Sequence, residues 1–115
     1  MRVAFTSPHS GESAAIYTTD WHERGGVPVC RRLSVTRRIV YSALLGRHAV
    51  EYAITHIEYR RDRTQRVILD SGVSTFRAAI DALSRELSRL IDEGFAHETD
   101  LERLPEAALA AARVG

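Results

Sequence analysis

Lysine is absent from these 115 residues, and all 16 basic side chains are arginine. GC-rich coding alone would produce that shift. It still has a chemical consequence, because a guanidinium binds carboxylate or phosphate through two parallel hydrogen bonds and stacks on rings better than an ammonium does. Cysteine occurs once, as Cys30. That excludes an internal disulfide and a cysteine-built zinc site, and leaves a reduced thiol packed as a small hydrophobe. Long apolar runs are missing too: stretches such as residues 107–112 fall far short of the ~20 residues that span a bilayer. The first residues, MRVAFTSPHSGE, turn polar after Phe5 and lack the apolar segment of a secretory signal. A cytoplasmic location with no membrane partner is the expectation.

Signatures of chemistry are equally scarce. The five histidines, His9, His22, His48, His56 and His97, include no pair at the close spacing of a zinc protease or finger. His9, His22, Cys30 and Asp20 would make four ligands only if a first hairpin folded over residues 7–13, so no metal and no cofactor is assigned. The run Ser7-Pro8-His9-Ser10-Gly11-Glu12-Ser13 does not match a nucleophile elbow, and Ser and His side by side in a loop are ordinary turn formers. Asp20, Glu23 and Glu51 are acid/base candidates without a visible pocket. The chain is therefore read as no enzyme.

What is there is globular. Hydrophobic residues make up 44% and charged residues 27% of the chain, enough for one domain spanning 1–115 around one core. Charge is balanced overall at +1 but is divided along the chain. Residues 31–66 hold nine arginines against three carboxylates, a balance of +6, and residues 67–115 hold five against nine, a balance of −4. A basic middle and an acidic end suit a nucleic-acid surface, an acidic protein partner, or copies of the chain meeting each other.

Residues 2–6 read as a strand and 7–13 as a loop. Alternation over 15–21 gives a further strand, and Gly25-Gly26 a turn into 27–33, completing a hairpin with Pro28 at an edge. Residues 34–47 read as a helix, with Val35, Ile39, Ala43 and Leu44 at helical spacing, Ser34 as cap and Gly46 as stop, although Ile39-Val40-Tyr41 also has strand character. Residues 49–59 read as a strand whose phase slips at Thr55-His56, the mark of a bulge, and 66–70 close a second hairpin. The strongest element starts at a Ser74 cap and carries Phe76, Ile80, Leu83, Leu87 and Leu90 on one face, with Asp81/Arg85 and Arg89/Glu93 as ion pairs and Gly94 as its end. Thr99 and Glu102 make a capping box, Pro105 opens a separate short helix that is expected to bury little, and residues 96–115 are expected to be a mobile C-terminal segment. The fold class is α+β: an antiparallel sheet of four or five strands from two hairpins, with one long amphipathic helix on a face and short additional helices.

A strand leading into Gly72, Ser74 and an alanine-containing helix resembles, over that stretch alone, the end of a double-stranded RNA-binding domain. Arg77 is the only cation at the helix start, where that family is basic, and no family is assigned.

The binding residues expected are Trp21 and Tyr59 with Arg31, Arg37, Arg38, Arg60, Arg61 and Arg63, since Trp, Tyr and Arg dominate interface hot spots. They suit a small regulator, inhibitor or accessory factor of the kind that phages and plasmids encode, working through protein-protein contacts. The same arginine and aromatic mixture also suits nucleic acid. Homo-oligomers anchored on Trp21 and the tyrosines are expected, because exposed ion pairs of ~0–1 kcal/mol each orient a contact without holding it.

Overall fold

The computed structural model describes residues 14–114. The strand and loop read over 2–13 lie outside them. The described chain is α+β, with five antiparallel strands followed by two helices: β1 (Ala14–Thr18), β2 (His22–Arg24), β3 (Val27–Ser42), β4 (Arg47–Arg60), β5 (Gln65–Val73), α1 (Phe76–Asp92) and α2 (Asp100–Val114). The sheet order is β1-β3-β4-β5, with β2 also paired to β3. No helix among the described residues is long and apolar enough to cross a membrane.

The helix read over 34–47 is not formed. Val35, Thr36, Ile39, Val40 and Tyr41 are β-branched or aromatic, and they lie in β3, which stays in register with β4 from Val29↔Arg60 to Ser42↔Arg47. Helical spacing in this stretch is therefore a coincidence overridden by cross-strand pairing. Gly46 does not stop a helix but supplies the positive φ of 66° in the tight turn, where its amide donates to the Ser42 carbonyl at 2.8 Å. Two separate hairpins thereby become one continuous meander, with β1 and β2 lined up along the outer edge of β3.

The slip expected in the strand read over 49–59 is also relocated. β4 is regular against β3, and the irregularity lies against β5, where His56 pairs with Leu69 and Ile57 with Val67, leaving Ile68 unmatched. The inward face of β4 runs Tyr52, Ile54, His56, Glu58 without interruption. It only looked broken because two of those positions are polar.

Both helices cover one face of this sheet. Leu83, Leu87 and Leu90 of α1 are fully buried with Tyr17, Leu33, Val35 and Ile54 of the strands, and α2 adds Leu104, Ala108 and Ala111. The segment past residue 96 thus belongs to the core more than its sequence suggested. Thr75, rather than Ser74, caps α1, its hydroxyl accepting from the Ala78 amide at 3.1 Å. Its C-terminus closes through Gly94 at φ 83°, with the Phe95 amide donating to the Leu90 carbonyl at 2.8 Å and the Phe95 ring buried beneath. Pro105 lies inside a single α2 instead of opening a new helix. The buried Tyr17 hydroxyl donates to Asp100 Oδ2 at 2.8 Å, tying the start of α2 to β1.

Candidate functional site

Two features stand out once the strands are in register. The first is a two-stranded ribbon. β5 pairs with β4 no further toward the turn than Tyr52, and the described part of β1, which starts at Ala14, reaches Val35 on β3. Beyond those points β3 and β4 run on as a pair to the turn at 43–46, with no other strand beside them among the described residues. At ~3.3 Å per residue the five pairs from Arg38↔Glu51 to Ser42↔Arg47 carry the ribbon roughly 16 Å out to its turn. Ribbons in water need apolar cover, yet Ile39 is 64%, Tyr41 62%, Leu44 95% and Leu45 56% exposed. Arg37, Arg38 and Arg47 accompany them against Glu51. At its base the ribbon leaves a notch of about 560 Å³ between the outer edge of β4 and the β5–α1 turn, lined by Val40, Leu45, Val50, Val73 and Ala78.

The second is a buried polar network at the opposite end. Arg31, on the helix-facing side of β3, is 5% exposed; its Nε donates to Glu58 Oε2 at 2.9 Å and its Nη2 to Glu93 Oε1 at 3.1 Å. Its guanidinium stacks 4.9 Å from the Phe95 centroid, beside Arg24 at 4.5 Å. Nη1 faces His56 Nε2 at 3.3 Å, and His56 Nδ1 lies 3.0 Å from Glu86 Oε1. A guanidinium only donates, so Nε2 accepts and the Nδ1 proton goes to Glu86, which makes the fully buried imidazole neutral. Burial pushes its pKa down, the Arg31 charge pushes it further, and the Glu86 hydrogen bond opposes both. Burial alone would push the Glu58 carboxyl up, but the hydrogen bond and charge of Arg31, with Arg66 and Arg60 nearby, hold it below the usual carboxylate range. A cavity of about 320 Å³ opens over Arg31 and His56, with Arg66, Arg89 and Glu93 on its walls. Both ring nitrogens of His56 are engaged, so the network offers no free base; it clamps the C-terminus of α1 onto the sheet.

The expected binding residues divide accordingly. Arg31 is a core residue rather than a surface contact. Trp21, 46% exposed, carries the Arg61 guanidinium 4.8 Å from its ring centroid, and Arg60 and Arg63 lie nearby around the 61–64 turn. Tyr59 sits on the opposite sheet face, across from Cys30. Arg37 and Arg38 lie at the base of the ribbon, where Arg38 Nε meets Glu51 Oε2 at 3.0 Å. His22 and Cys30 point to opposite faces, since His22 pairs with Val29 and packs on Phe95 at 4.8 Å. Burial pushes the Cys30 thiol up, with Arg32 partly offsetting it. No group of three His, Cys, Asp or Glu that could hold a metal ion occurs among the described residues. Of the expected ion pairs on α1, Arg89 instead reaches Glu86 at 3.6 Å, and Glu93 goes to Arg31.

Ile39, Leu44 and Leu45 were missed as a surface because a helix would have buried part of that stretch. The signal that could have found them is the β-branched run 35–41 followed by a Gly-terminated turn. His56 and Glu58 were missed because polar residues at inward positions break the pattern that marks an inward face. The chain matches no protein-family model, and no curated protein or solved structure is significantly similar to it.

Proposed function

We propose that this chain is a small non-enzymatic binding protein, a regulator, inhibitor or accessory factor, that acts through protein-protein contacts made by the β3–β4 ribbon. The observation that carries this reading is the row of exposed apolar side chains, Ile39, Tyr41, Leu44 and Leu45, on a ribbon with no neighbouring strand among the described residues. A surface of that kind gains from a partner that removes it from water, at ~25 cal/mol per Å² of apolar area. Its arginines favour a partner with an acidic rim.

Nucleic acid is the competing reading, and the disposition of the arginines weighs against it. Arg31 pairs with Glu58 and Glu93, Arg38 with Glu51, and Arg60 and Arg66 approach Glu58 at 3.6 and 3.5 Å. Arg37 and Arg47 project from opposite faces of the ribbon, and Arg63 lies at the far end of the sheet. They do not combine into one unpaired basic face.

A photo-cross-linking residue at Leu44 tests the reading, with one at Arg85, on an exposed position of α1, as control. Protein is expected to be trapped at position 44 and not at 85. Mobility shifts with duplex DNA and RNA over a salt series decide the alternative. A log-log salt slope of ~0.9 per neutralised phosphate on DNA, lost on replacing the arginines, would overturn the protein reading.

A further inference from the structure

We infer that the ribbon's partner is a second copy of this chain, joined edge to edge along β4 so that the two ribbons form one four-stranded antiparallel sheet across a twofold axis at Ala49. The inference rests on the ribbon being the contact surface and adds what occupies it.

The register of β4 dictates the fit. On its outer side β4 is paired with β5 from Tyr52 to Tyr59, and the five residues Arg47-His48-Ala49-Val50-Glu51 have no strand beside them among the described residues. An edge of unpaired backbone donors and acceptors is a template for another strand, and an isologous dimer pairs a segment with itself, antiparallel. Centred on Ala49, that pairing sets Ala49 against Ala49 of the second copy, His48 against Val50, and Arg47 against Glu51. The segment is thus its own electrostatic complement. Its ends carry opposite charge, so the twofold forms two such pairs, each on the sheet face that already holds Arg38 beside Glu51.

Length and shape agree with charge. Five pairs fill the gap between the turn and Val73, the end of β5, so each turn arrives at the other copy's β5–α1 junction. There Leu45, 56% exposed, meets the notch with Val73 and Ala78 on its walls, and the contact is made twice. On the other sheet face the pairing continues an apolar row: Ile39 beside Val50 in one copy, and His48 beside Tyr41 in the second, where those two rings already pack edge to face at 5.4 Å. One device thus covers the open edge and much of the exposed apolar surface.

Sedimentation velocity from micromolar to near-millimolar protein tests the arrangement. The wild type is expected to dimerise. Arg47→Glu and Glu51→Arg each place like charges opposite each other twice and are expected to weaken dimerisation about tenfold or more. Mixed together, the two variants restore both attractive pairs and are expected to form a heterodimer. Ala49→Cys is expected to form an intermolecular disulfide under mild oxidation, because residues opposed in an antiparallel pair lie within disulfide reach. Thermal melts of each variant separate lost pairing from lost folding. A chain monomeric at every concentration overturns the self-pairing, and so does a dimer that ignores the charge reversals or fails to cross-link at position 49. Cross-linking of a different protein at Leu44 by a monomeric chain would sink this inference while leaving the ribbon as the contact surface.

Discussion

Arg31→Met is the perturbation that tests the buried network most directly. It keeps most of the side chain's length and apolar stem while removing the charge, leaving Glu58 with a side chain only 7% exposed. Breaking a buried pair by removing one partner costs ~3–5 kcal/mol, because the remaining charge is desolvated and uncompensated. Glu93 adds little to that figure, since its side chain is 48% exposed and water replaces its partner. Arg60 and Arg66 stay within 3.6 Å of Glu58, but both are largely solvated and their attraction is screened, so the expected loss lies near the lower end, about 3 kcal/mol. Against a typical domain stability of ~5–15 kcal/mol this is a large fraction. The loss also carries a pH signature. In the wild type Glu58 has a folded pKa below its unfolded one, so its contribution is present above the unfolded value and is lost as pH falls through the folded value. Without Arg31, burial dominates and the folded pKa rises above the unfolded one, so acidification relieves the variant. Urea unfolding of both proteins at about pH 7 and about pH 4 should give a loss that shrinks markedly at the lower pH. In Arg31→Met/Glu58→Leu, which removes both charges, most of the stability should return. A loss under ~1 kcal/mol at neutral pH, or one equal at both pH values, would refute the claim that this pair is buried and mutually dependent.

Three further outcomes follow from the same structure. Leu83→Ala empties a fully buried position between α1 and the sheet and should cost ~2–5 kcal/mol in denaturant melts, where a loss below ~1 kcal/mol would remove α1 from the core. Arg63 holds φ 74° in the 61–64 turn, so Arg63→Gly should raise the melting midpoint by a gain of ~0.5–1 kcal/mol, and a lowered midpoint would contradict that backbone geometry. His56 is kept neutral with a lowered pKa, so its contribution to stability is present above its unfolded value of about 6.5 and declines as pH falls below it. A pH series of urea midpoints should show that decline in the wild type and a shallower one in His56→Gln; identical slopes would refute it.

Several elements were legible in the sequence for reasons local to the chain. The leucine spacing of α1 and the Gly25-Gly26 turn each rest on interactions between residues a few positions apart, or on a φ that only glycine takes easily. The α+β class and the antiparallel sheet follow from them. The ribbon was hidden because residues 34–47 satisfy both periods at once: Val35, Ile39, Ala43 and Leu44 fit a helix, while Val35 to Tyr41 fit a strand. Pairing with β4, from Arg47 onward, decides between them, and a single strand's sequence does not contain its partner's register.

The arginine network was hidden for a different reason. By itself the sequence determined the composition of a one-core domain, the division of charge, the strong helix and most turns, because these depend on near neighbours. Only the tertiary structure decided that Arg31, evident as one of nine arginines in a basic stretch, would be buried. It has to meet Glu58, His56 and Glu93, which lie 25 to 62 residues away, and a buried charge is tolerable only where such partners converge. The same holds for the ribbon: its apolar residues are visible in the sequence, but their exposure depends on tertiary placement, including where β5 stops on β4.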